Sequence, residues 1–145
     1  MGNNSLIIFG GVFHTGFAIF HLFFWRLFKW KPARRSEYVT MLESGKESVT
    51  LTHINSAVTQ ILNLCLTFVF IVVAYISFFY SSELLSSSLG RTLLICISVF
   101  WFLRTIEQLI FFGLKKRLSV ILTFLFIIGS LIYLIPFITV TLLQR

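Results

Sequence analysis

The chain has 145 residues, of which 57% are hydrophobic and 12% charged, with a mean hydropathy of +0.94. Soluble globules carry about 25% charged residues, so a water-soluble fold with a fully solvated surface is excluded. The net charge of +7 would suit a nucleic-acid groove. Here, however, the positive charges gather at the ends of apolar runs, which points to anionic lipid head groups and not to nucleic acid.

Four apolar runs fill the chain, at about 6–28, 54–80, 92–113 and 118–142. Each exceeds the roughly 20 helical residues that cross a hydrocarbon layer of about 30 Å. The composition leaves room for a single domain, residues 1–145. The expected fold is an all-α integral membrane protein, a bundle of four transmembrane helices.

The first run lacks a basic stretch before it and a small-residue cleavage site after it, so it reads as a first span and not as a cleaved signal. Gly11, His14, Ala18, His21, Trp25 and Phe28 recur along it at alternating spacings of three and four. Such residues share one side of a helix and form a packing seam. The segment 29–51 that follows is polar and basic and is expected to be a loop. Trp25, Trp30 and Tyr38 stand near one membrane boundary and Tyr80 near the other, where such rings anchor a span.

The second run repeats the seam with His53, Ser56, Gln60, Asn63, Thr67, Phe70, Ala74 and Ser77. Inside a membrane, small and polar residues belong between helices, and Leu, Ile and Phe face lipid. The third run carries Arg104, Glu107 and Gln108, three and four residues apart and able to share a face. Trp101, three residues before Arg104, is placed to stack on the guanidinium. The fourth run offers Ser119, Thr123, Ser130 and Tyr133, and reads as a covering helix with the least polar contact. Pro136 is expected to kink or end it. Cys65 and Cys96 are expected at different depths, as packing residues and not as a disulfide.

Charge placement sets an expected orientation. Arg26, Lys29, Lys31, Arg34, Arg35 and Lys46 lie in the first connection, and Lys115, Lys116 and Arg117 in the last. Those nine stand against Arg91 and Arg145 on the other side. Basic residues mark the cytoplasmic side, so segments 29–51 and 113–117 are expected in the cytoplasm and both termini outside.

Counting about 1.5 Å of rise per residue from the cytoplasmic ends puts His21, Gln60, Asn63, Arg104, Glu107 and Gln108 about 7 to 14 Å into the membrane. The expected site is therefore a buried polar cluster in the cytoplasmic half. Arg104 would contact an anionic group, Glu107 would balance it, and His21 would donate or accept a hydrogen bond. His14, His53, Asn55 and Trp101 are secondary candidates. In a purely structural role the Arg104–Glu107 pair is an ion pair that neutralises itself, since buried charges are nearly always paired. Histidines on facing helices are also able to ligate haem iron. His14 and His21 share one helix, however, and His21 and His53 differ in depth. No zinc pattern, phosphate-cradling loop or nucleophile elbow is present, and no metal is expected.

The segment LTHINSAVTQIL opening the second run resembles the RAxxNxxE signature of the MAPEG family of four-helix membrane enzymes, with Asn55 at the asparagine position. FLRTIEQLIFFG resembles that family's arginine-bearing third helix, with Arg104 matching. The resemblance covers roughly residues 51 to 117, and implies a trimer and a cytosol-facing site. Leu51 and Val58 stand where the family has an arginine and an acidic residue that contribute to glutathione binding.

Function is then expected to be that of a binding module or accessory subunit, holding a lipid-like small molecule or a partner helix. The expected partners are membrane lipids with anionic head groups at the cytoplasmic face, and further copies of the chain or a partner membrane subunit. A membrane enzyme on hydrophobic substrates, MAPEG-like or haem-containing, is one alternative. A proton or ion pathway is another, but it needs polar groups through the outer half, where the runs offer His14, Thr67, Ser77 and Ser98.

Overall fold

The computed structural model describes the backbone of residues 2–23 and 47–143, and side chains over 2–23 and 54–142. The described residues are almost all helical, with no strand among them. Four long helices appear: α1, Asn3–Leu22; α2, Glu47–Phe79; α4, Ser88–Phe112; and α5, Arg117–Leu143. A short α3, Ser81–Ser86, lies between α2 and α4. All four long helices are long and apolar enough to cross a membrane. Trp25, Phe28, Trp30, Tyr38, the basic residues from Arg26 to Lys46, the His53 side chain and Arg145 lie outside the described residues.

Helices α2, α4 and α5 differ from expectation. Helix α2 begins at Glu47, so residues 47–51 are helical and not loop. Hydropathy marks the stretch that prefers lipid, and helical hydrogen bonding propagates past it. Helix α4 begins at Ser88 and not at Thr92. Ser87 is its N-cap, and the Ser87 hydroxyl accepts from the Gly90 N–H at 2.9 Å, satisfying one of the orphan donors of the first turn. Helix α5 runs through Pro136 to Leu143; neighbouring helices in a bundle tolerate the missing proline donor.

The described fold divides into two compact units, Met1–His14 with Val73–Arg145, and Thr15–Val72. In the first unit, α4 and α5 pack along each other as an antiparallel pair. The turn between them ends α4 at Gly113, which has φ 58°. A side chain disfavours that left-handed conformation, and glycine adopts it freely. The apolar centre of this unit is Ile7, Leu84, Leu94, Ile132 and Tyr133. Helix α3 is tied in by Leu84, and Gly90 lets α4 approach it: a Cβ there would lie 2.5 Å from the Glu83 carbonyl oxygen.

In the second unit, Phe17 of α1 meets Phe70 of α2 edge-on, with ring centroids 5.9 Å apart. The expected α1 seam is legible in burial: Gly11, His14, Ala18 and His21 are all buried. Along α2, Thr67, Phe70, Ala74 and Ser77 are buried, and Ser56, Gln60 and Asn63 are partly so.

Candidate functional site

The candidate residues fall into four local arrangements. In the second unit, His21 and Asn63 clasp α1 to α2. The His21 Nδ1 lies 2.6 Å from Asn63 Oδ1, and the Asn63 amide donates to the His21 carbonyl at 2.8 Å. Since Asn63 Oδ1 only accepts, Nδ1 carries the proton. Gln60 donates to Ser56 one turn back on the same helix, at 3.4 Å. Asn55 is exposed, and its carbonyl accepts from Thr59.

In the first unit, Gln108 is spent on the turn. Its amide donates to the Ser119 hydroxyl at 2.9 Å, and that hydroxyl in turn donates to the Gly113 carbonyl. Gln108 thus locks the end of α4 to the start of α5. Further along the same pair, Ser98 and Ser130 exchange hydroxyl-to-carbonyl bonds, each at 3.0 Å. Reciprocal small polar contacts of this kind let two helix backbones approach closely in an apolar medium.

The third arrangement joins all four long helices and was only partly expected. Trp101 of α4 is fully buried, and its indole N–H donates to His14 Nε2 at 3.1 Å. His14 Nδ1 lies 2.9 Å from the Gly10 carbonyl and 3.1 Å from the Tyr133 hydroxyl of α5. That hydroxyl lies 2.9 Å from the Ser77 hydroxyl of α2. Indole nitrogen is a donor only, so His14 Nε2 must accept and Nδ1 must bear the hydrogen. The Gly10 carbonyl and the Tyr133 oxygen then share Nδ1–H, and Tyr133 donates to Ser77. The imidazole is held neutral, in one tautomer.

This hub corrects two expectations. Helix α5 is no covering helix: Tyr133, Ser130, Thr123 and Ser119 are all buried and bonded. The Trp101 N–H is committed to His14, while the Arg104 guanidinium lies over the Phe126 ring, 5.7 Å from its centroid. Both ring nitrogens of His14 are engaged, so iron would have to break the hub to reach it. Among the described residues, no group of three His, Cys, Asp or Glu is placed to hold a metal ion. Cys65 and Cys96 are free thiols.

The fourth arrangement is the charged pair. Arg104 donates to Glu107 at 2.6 Å, and the two side chains are 39% and 51% exposed. The pair forms as expected but is not the buried centre it was expected to be. The physical reason is angular. The buried face of α4 is Gly90, Leu94, Ser98, Trp101, Thr105 and Gln108. At 100° per residue, Glu107 points far from that face, and Arg104 sits on its flank. His21 and Asn63 belong to the other unit.

Among the described residues, these features define an all-helical protein with four helices of membrane-spanning length. The chain matches no protein-family model, no curated protein and no solved structure.

Proposed function

We propose that the protein is a four-span integral membrane protein, with both termini outside, that works as a binding or accessory subunit. Its docking point is the Arg104–Glu107 pair, which receives the membrane segment of a partner. The observation that carries this reading is the half-exposure of both charged side chains within a helix apolar enough to cross a membrane. Charges within spans are costly in lipid, and normally face a bundle interior or a partner. The mutual ion pair lowers that cost without removing it, because each group retains unfilled hydrogen-bonding capacity. A partner that adds polar contacts and excludes lipid completes it. The basic residues flanking the spans support the orientation.

The test is native mass measurement of the protein extracted from its own membrane in mild detergent, beside the double variant Arg104→Leu/Glu107→Leu. Removing both partners leaves no orphaned charge, a change that folds tolerate far better than removing one. The wild type is expected to run as a complex larger than its 16.8 kDa chain, and the double variant as a folded single chain. A complex retained by the double variant contradicts the reading, as does a wild type that carries nothing. A lipid-sized adduct lost in the variant would move the reading to a small-molecule ligand.

A further inference from the structure

Helix α4 presents a second seam on its outer side. Cys96, Phe100, Leu103, Glu107 and Ile110 follow one another at spacings of four, three, four and three. Leu103 is 52% exposed and Ile110 71%, and Cys96 and Glu107 are exposed. Phe100 is partly buried. A repeat of alternating threes and fours keeps one stripe facing a parallel neighbour. Its apolar positions alone would suit lipid equally well. The carboxylate within the stripe, with its arginine beside it, does not.

We infer that the occupant of this face is a second copy of the chain, joined through α4 about a two-fold axis along the membrane normal. This rests on the docking role proposed above and names the partner. Charge complementarity under symmetry favours a second copy. A two-fold interface is isologous, so whatever residue i offers must suit residue j, and j must suit i. A stripe bearing only an acid or only a base would meet its own like charge. The face around this stripe bears both, with Glu107 in the stripe and its ion-pair partner Arg104 at the edge, about 60° around the helix, and so offers both signs to a second copy of itself. Copies inserted under one charge bias share one orientation, so their α4 helices run parallel and symmetry-related residues share a depth. Each Glu107 then lies near the axis, with an Arg104 from either copy in reach. Four groups of zero net charge close a ring from which lipid is excluded.

Cys96 is a built-in reporter, since a seam residue faces its own symmetry mate. Oxidising isolated membranes is expected to give a disulfide-linked dimer in the wild type and in Cys65→Ala, and none in Cys96→Ala. In the cysteine-free background, Leu103→Cys is expected to cross-link and Phe102→Cys, about 100° around the helix, is not. Arg104→Glu should lower the cross-linking yield about tenfold, the scale of one lost charged pair. The swap Arg104→Glu/Glu107→Arg should restore it. Native mass should correspond to two copies. Equal yields at positions 102 and 103 would mean random collision and overturn the inference, as would three copies or no cross-link at position 96. A complex with a different protein and no cross-link would defeat this inference alone; a lone chain would defeat the docking role as well.

Discussion

Tyr133→Phe isolates the hub's contribution, because it removes one hydroxyl and leaves the ring. That hydroxyl bridges Ser77 at 2.9 Å and His14 at 3.1 Å. Hydrogen bonds between helices inside membranes average ~0.6 kcal/mol and reach ~1.7. Two such contacts, with no cavity formed, put the loss at roughly 1 to 2 kcal/mol. Ser77→Ala removes only the outer contact, and should cost about 0.6 kcal/mol. Both single variants lose the same Ser77–Tyr133 bond, so the double variant should cost less than the sum, by about 0.6 kcal/mol. Reversible unfolding in bicelles, followed by steric trapping, measures all three. Additive costs would refute the bond, and an unchanged Tyr133→Phe would refute the hub.

Trp101→Phe should cost more than Tyr133→Phe in the same assay. It strands the His14 Nε2 acceptor, worth about 1 to 3 kcal/mol for a buried group, and also opens a cavity. Gly90→Ala should lower thermal stability measurably, since the new Cβ would lie 2.5 Å from backbone atoms of both Glu83 and Leu84, which have little freedom to move. Gly113→Ala should destabilise by about 1 kcal/mol, because its φ of 58° penalises any side chain; thermal melting in detergent reads this. Asn63→Leu should loosen α1 from α2 and speed hydrogen exchange around His21, while leaving amides near Trp101 protected. Uniform loss of protection would contradict a local role for the clasp.

The helices were legible because span length and hydropathy report directly on what a lipid layer requires. The seam of α1 was legible for a similar reason: Gly11, His14, Ala18 and His21 interrupt an apolar run at helical spacing, and all are buried. The Arg104–Glu107 pair was legible because an i, i+3 contact needs nothing but the helix. Its exposure was not, because that depends on which face α5 covers, and hydropathy is nearly uniform around α4. Tyr133 was missed for the same kind of reason. One tyrosine in a long apolar run looks like an isolated polar atom until axial register brings Ser77 and His14 to it. The signal available was that a phenol deep in such a run must find a partner. Helix α3 was missed because SSELLS carries too short a pattern to show periodicity, and its anchor is tertiary, through Leu84.

The most direct test of the docking role is the environment of position 103 in a bilayer. A nitroxide at Leu103→Cys, in the cysteine-free protein reconstituted in liposomes, is compared with one at Phe124→Cys on the exposed side of α5. Oxygen reports lipid and a water-soluble nickel chelate reports solvent. With the α4 face covered by a partner, the label at 103 is shielded from both, while the label at 124 collides freely with oxygen. Equal oxygen collision at the two positions would leave the charged pair facing lipid alone, and the docking role would fall.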